Sequence, residues 1–170
     1  PDELAVLHGL ADSIPEGGQA LEIGAFLGAS ACAIGAALVG RRARLFCVDT
    51  WKNERMPDAE ADTMEEFLRN TRRLKDVIVP VRKDSHSLTR NDVGTPLHLI
   101  FIDGDHSYSA VHRDVGIAGP WLAPDGMLRG NPVEMDATVL LFTLGVCLLT
   151  ALLSGLLPAL HASRTDLNAA

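Results

Sequence analysis

The chain has 170 residues, a formal net charge of −7 and a hydrophobic content of 47%. That length allows one domain whose core needs no disulfide. The acid excess excludes nucleic acid as the main partner, because Arg41-Arg42 and Arg72-Arg73 are isolated pairs rather than a basic stripe.

Leu4, Leu7, Leu10, Ala11 and Ile14 recur at helical spacing and predict an amphipathic helix over residues 1–14, ended by Pro15 and Gly17-Gly18. Ala20–Ile23 reads as a first strand, followed by a glycine turn and a helix over about 29–39 that Gly40 stops. A second strand covers Arg44–Val48. A polar loop with Trp51, Arg55 and Pro57 then leads to a charged helix over about 59–74. Val77–Val81 and His98–Ile102 are the third and fourth strands, and a helix runs from about Tyr108 to Leu122. Pro124-Asp125-Gly126 reads as a turn before a fifth strand that begins at Met127-Leu128. Strands alternating with helices in this way predict an α/β fold with a doubly wound parallel sheet, in the order 3-2-1-4-5.

The residues at the strand ends are the ones that suggest chemistry. Glu22-x-Gly24-x-x-x-Gly28 follows the first strand and permits close backbone approach to a ligand; the alternative is a glycine turn that serves packing. The spacing is not G-x-G-x-x-G, which disfavours a nicotinamide dinucleotide. Asp49 closes the second strand about 25 residues after Gly24, where a ribose-binding carboxylate belongs; a loop or helix-cap acid is the bland reading. Asp84 and Ser85 follow the third strand, with Asp84 divided between a cofactor contact and a cap. Asp103, Asp105 and His106 follow the fourth, and His106 reads as a base for an acceptor hydroxyl or as a surface residue. His86, His98 and His112 read as structural or solvated. Cys32, Cys47 and Cys147, far apart in apolar sequence, read as buried thiols.

In this order the motifs resemble the class I S-adenosylmethionine-dependent methyltransferases. The nearest resemblance is to the small-molecule O-methyltransferases that carry I-D-G-D-H-x-Y after the fourth strand, here Ile102 to Tyr108. It covers about residues 1–130 and implies a Rossmann-like methyltransferase sheet with S-adenosyl-L-methionine as cofactor. It also implies a hydroxylated small-molecule acceptor, such as a sugar or natural product, and a cytoplasmic setting. By the same resemblance Glu22, Gly24 and Gly28 line the methionine part, Asp49 binds the ribose hydroxyls, and Asp84 with Ser85 contacts adenine. Asp103 stands beside the sulfonium and, in metal-dependent relatives, ligates a divalent ion such as Mg2+; Asp105 is a chemically suitable second ligand, and a complete site needs more oxygen ligands than these two. His106 occupies the place of an acceptor-facing lysine in catechol-type relatives.

The resemblance stops near Gly130. Met127-Leu128-Arg129-Gly130 runs into Asn131-Pro132 where relatives carry an acidic pair, and two further strands are expected beyond. Their loss would expose the fifth strand and remove the acceptor wall, so that cofactor binding would outlive catalysis. Residues 139–160 form instead an uncharged, Leu-rich run of about 22 residues, long enough to span a bilayer as a helix. Residues 136–170 resemble a membrane segment of FtsX-like permeases, through Val139–Gly145 and Gly155–Arg164. The chain therefore reads as a methyltransferase domain over 1–130, truncated after the fifth strand and joined to an apolar helical tail over 131–170. A membrane-transport fragment with a passive globular part is the alternative function, and a nicotinamide-dependent oxidoreductase is a more distant one.

Overall fold

Apolar runs of five and six residues, each bounded by turn residues, form the centre of a parallel sheet: β1 (Gln19–Ile23), β2 (Arg44–Asp49), β3 (Ile78–Arg82) and β4 (Leu97–Ile102). A computed structural model describes residues 3–52 and 62–130 of the chain. With β5 (Leu122–Gly130), the order across the sheet is β3-β2-β1-β4-β5, as the alternation of strands and helices predicts. The helices are α1 (Glu3–Asp12), α2 (Ala29–Ala37), α3 (Met64–Thr71) and α4 (Tyr108–Ala118). This is the Rossmann-like, doubly wound architecture.

The period of two along each strand sorts the core into two layers. Ala20, Leu45, Cys47, Leu99 and Phe101 pack on one face with Leu7 and Ala11 of α1, Ile34 of α2 and Phe67 of α3. Leu21, Ile23, Val48, Ile100 and Ile102 pack on the other face with Ala118 of α4, Leu88 and Val93. Strands buried on both faces are the reason these runs read as continuously apolar. Glu22 shares the parity of Ala20, so it lies on the α2 face, in register with Cys47 and Phe101.

Several elements differ from the sequence reading. The charged helix expected over about 59–74 is α3 over Met64–Thr71, continued by a 3-10 turn over Arg72–Leu74, and residues 59–61 lie outside the described residues. The helix expected to reach Leu122 stops at Ala118, because Pro120 follows and the chain tightens into a 3-10 turn over Gly119–Trp121. The Pro124–Gly126 segment is not a turn before a strand. It lies within β5, whose pairing with β4 shifts register between Leu97 and Leu99, a bulge that tolerates a proline. Trp51, expected in a polar loop, is fully buried, with its ring 4.9 Å from that of Phe67. A single aromatic in a polar stretch gives no periodic signal, and its burial depends on a helix that starts 13 residues later at Met64.

Of the cysteines, Cys47 is buried and Cys32 partly so. Cys147, the run over 139–160 and the permease-like segment lie outside the described residues. Among the described residues no helix is long and apolar enough to cross a membrane.

Trp51→Ala is expected to lower stability by about 3–5 kcal/mol, the usual cost of emptying a large aromatic site. Urea unfolding followed by circular dichroism measures it, and a loss below about 1 kcal/mol would show that Trp51 is not a core residue.

Candidate active site

The C-terminal ends of β1, β2 and β4 and the turn after β3 enclose a cavity of about 810 Å3. Its walls are the glycine loop 24–28, Asp49, residues 83–86, residues 103–107 and Asp114. The fold thus brings together Gly24, Gly28, Asp49, Asp84, Ser85, Asp103, Asp105 and His106. Glu22 stands apart: it is fully buried beneath the loop and does not reach the cavity wall.

Gly24 marks the tightest point of the site. Its φ is 90°, and a Cβ built there would lie 2.5 Å from the Asp103 carbonyl oxygen and 2.6 Å from the Gly104 Cα. The crossing is held on both sides: Gly24 N–H donates to the Val48 carbonyl at 2.9 Å, and Asp103 N–H to the Ile23 carbonyl at 2.8 Å. Gly28 has another reason to be glycine. Its φ is 87°, and a Cβ would meet Thr71 Cγ2 at 2.8 Å and Phe67 Cδ2 at 3.1 Å, so the missing side chain makes room for α3. At both positions the missing side chain makes room for the chain itself, for the Asp103–Gly104 backbone at Gly24 and for α3 at Gly28, which is the packing alternative of the sequence reading.

The Asp49 carboxylate accepts three backbone N–H groups. Oδ2 takes those of Ala25 at 3.0 Å and Phe26 at 2.8 Å, and Oδ1 takes that of Trp51 at 2.7 Å. Trp51 Nε1 in turn donates to the Phe26 carbonyl at 2.9 Å. Phe26 and Trp51 both have positive φ, 42° and 52°, a region that non-glycine residues occupy only when surrounding bonds impose it.

Asp84 caps the 3-10 turn Ser85–Ser87 by accepting from His86 N–H at 2.8 Å, so it is a cap on the cavity wall. Asp105 Oδ1 accepts from Ser107 N–H at 2.9 Å, and Ser107 Oγ caps α4 by accepting from Ala110 N–H. His106 is exposed at the rim. Asp103 and Asp105 both line the cavity, and among the described residues no group of three or more His, Cys, Asp or Glu side chains is placed to hold a metal ion.

The cavity also contains groups the sequence reading set aside. Lys83 is the only Lys or Arg among its described lining residues, and its Nζ is committed to both Asp92 oxygens at 2.9 and 2.8 Å. With Thr89, it holds the Asp92 carboxyl down at about 2. Asp114 is 2% exposed, its Oδ1 lacks a hydrogen-bond partner, and burial pushes its carboxyl up against the pull of Ser85 and His86. Ala110, Asp114 and Ala118 recur every four residues on the buried stripe of α4, a pattern that signals Asp114 in the sequence. His86 Nε2 lies 3.8 Å from Asp114 Oδ1, and Arg113 Nη1 lies 3.0 Å from its Nδ1.

Beneath the loop, Cys47 Sγ donates to Glu22 Oε2 at 3.2 Å, while Oε1 has no partner. Burial pushes the Glu22 carboxyl up from 4.5 to about 7, against the opposing pull of Ser30 and Cys47, with Asp103 and Asp49 adding to the rise.

Comparison with known proteins puts this geometry in a family. A family model described as a methyltransferase domain matches residues 21–131. A search of curated proteins finds no match. Among solved structures, an rRNA methylase from Streptococcus thermophilus is similar at 11% identity and TM-score 0.54, over 82% of this chain and 76% of that one. An S-adenosylmethionine-dependent O-methyltransferase from Thermotoga maritima is similar at 14% identity and TM-score 0.55, over 81% of this chain and 46% of that one. A methyltransferase from Thiobacillus denitrificans, solved in complex with S-adenosyl-L-homocysteine, is similar at 13% identity and TM-score 0.52, over 82% and 53%. At these identities the likeness is one of fold, and the chain spans about half the length of the last two. The permease resemblance of residues 136–170 gains no support from these comparisons.

Two outcomes are expected. Gly24→Ala should destabilise the chain by more than about 2 kcal/mol, since the added Cβ meets backbone at a positive φ; an unchanged urea midpoint would show that the crossing can yield. Glu22 binds its proton at about 7 in the folded chain and at 4.5 when unfolded. The folded state therefore holds more protons between those values, and stability should fall by about 3 kcal/mol as pH rises through that window. In Glu22→Gln this fall should vanish from unfolding measured between about pH 5 and about pH 8; a fall that persists would locate it on another group.

Proposed function

The chain belongs to the methyltransferase-domain family, and we propose that residues 1–130 bind S-adenosyl-L-methionine at the C-terminal edge of the sheet and methylate a hydroxyl of a small molecule. The observation that carries this reading is the charge of the cavity. Five carboxylates line it, from Asp49, Asp84, Asp103, Asp105 and Asp114, while its single lysine is held by Asp92. Such a wall suits a ligand that bears a sulfonium and an ammonium, and it opposes the diphosphate of a nicotinamide dinucleotide. The N-terminus of α2, whose cap residue Gly28 offers no side chain, leaves backbone N–H groups for the ligand's carboxylate.

When bound, the cofactor supplies an electrophilic methyl group on sulfur. The glycine loop would hold the methionine part, Asp49 would stand beside the ribose, and Asp84 with Ser85 would border the adenine. Asp103 would face the sulfonium, whose positive charge its carboxylate stabilises. Fixing both reactants in line is the main work of such a site. His106 at the rim would take the proton that the acceptor hydroxyl loses as its oxygen bonds to the methyl carbon. The exposed, acidic rim and the net charge of −7 favour a small uncharged or cationic acceptor over a nucleic-acid phosphodiester backbone.

Calorimetric titration should give saturable binding of S-adenosylhomocysteine and none of NAD; the reverse would overturn the reading. His106→Ala should keep that binding and lower transfer to a hydroxylated acceptor about a hundredfold. Undiminished transfer would remove His106 from the reaction.

A further inference from the structure

We infer that Asp114 is a positioning residue for the base end of the cavity: from the buried stripe of α4 it fastens the turn Ser85–Ser87, and through that turn it sets the wall against which the ligand's base lies. The inference rests on the cofactor reading above for the identity of the ligand, and the fastening itself stands on the contacts between the turn and α4.

The turn after β3 shapes itself but does not place itself. Asp84 Oδ1 accepts from His86 N–H, and the Asp84 carbonyl accepts from Ser87 N–H at 3.0 Å and from Ser87 Oγ at 2.8 Å. The Ser85 carbonyl accepts from Leu88 N–H at 3.1 Å. All of these bonds lie within residues 84–88, and they would survive if the turn swung away from the cavity as a unit. Its position is set from outside. Lys83 N–H is tied to the Asp49 carbonyl at 3.0 Å on one side, and Leu88 is buried in the core on the other. Between these ends the turn is fastened to α4. The Ser85 hydroxyl donates to the Asp114 carboxylate, and the His86 ring lies between Arg113 and Asp114. Arginine can only donate, so the Nδ1 that Arg113 meets at 3.0 Å is an acceptor. In the neutral ring the proton is then on Nε2, which faces Asp114 Oδ1 at 3.8 Å.

An acid is a costly residue at this place. Its neighbours on the stripe are Ala110 and Ala118, and its Oδ1 is shielded from water without a hydrogen-bond partner. The same shielding keeps a ligand from reaching Oδ1, so Asp114 acts through the two residues it holds. An alanine would suit the stripe better and leave Ser85 and His86 unfastened.

The test compares the wild-type chain with two variants. Asp114→Ala removes the carboxylate from the stripe, and Arg113→Ala removes an exposed side chain and should fold as the wild type does. Amide hydrogen exchange is read first, on the free chain. The amides of His86, Ser87 and Leu88 should exchange about tenfold faster in Asp114→Ala, with those of β1 and β4 unchanged. Calorimetric titration then uses S-adenosylhomocysteine and S-ribosylhomocysteine, the same compound without its base. Affinity for the first should fall about tenfold in Asp114→Ala and about threefold in Arg113→Ala, while affinity for the second should be equal in all three chains. An equal loss for both compounds would overturn the inference, by making Asp114 a support of the whole cavity. Unchanged exchange in the turn, or undiminished binding of S-adenosylhomocysteine in both variants, would overturn it as well. If Asp114→Ala does not fold, the same comparison of the two compounds in Arg113→Ala decides the matter. If the wild-type chain binds neither compound, the cofactor reading fails, and the exchange data still decide whether the fastening exists.

Discussion

The close crossing of two chain segments at Gly24 and Asp103 governs the rest of the site. β1 and β4 are parallel neighbours, in register from Ala20 with Leu99 to Ile23 with Ile102, so their following loops leave the sheet side by side. At 2.5 Å between a would-be Cβ and a carbonyl oxygen, no side chain fits between them. The acid that ends β4 and the loop that follows β1 are thereby held against one wall. A looser crossing would move the two apart, and the cavity would lose either its floor or its acidic side.

Charge follows from that arrangement. Parallel strands that end together present every terminal acid to one small volume, and like charges so close repel. The chain distributes the burden in several ways. Asp49, Asp84 and Asp105 each accept backbone N–H groups. Glu22, fully buried with the Cys47 thiol and Ser30 as its polar neighbours, stays protonated up to about 7. A cationic ligand would relieve what remains, which is the physical link between the strand ends and the family to which the chain belongs.

The strand ends were legible because their signal is local. An apolar run broken by an acid or a glycine marks both the strand and its functional end, and Gly24, Asp49, Asp84 and Asp103 all lie on the cavity as that logic requires. What the pattern left out depends on residues far away. Trp51 looks like a loop residue until α3 is packed over it. Gly28 lies on the cavity as expected, but the need for glycine there comes from Thr71 and Phe67, which occupy the space beside it. Asp114 was legible in principle, from its place on the buried stripe of α4, but a single acid on an exposed-looking helix is easily assigned to solvent. The bulge in β5 was missed for a related reason: Pro124 and Gly126 are turn residues by composition, and only pairing with β4 keeps them in the sheet.

The anchors of the glycine loop have one more consequence, for the order in which the molecule assembles. Phe26 N–H finds its acceptor 23 residues away, the Phe26 carbonyl finds its donor 25 away, and the Leu27 carbonyl finds its donor 43 away. The entropy of closing those spans is lost before any of the bonds gives a return. A nascent chain that has made only β1 and α2 already contains every glycine of the motif, but of the contacts that shape it only the local ones, such as Gly28 N–H to the Ala25 carbonyl. The binding loop is thus a late product of folding, completed when β2 and α3 have docked, and the motif acquires its meaning only from the half of the domain that follows it.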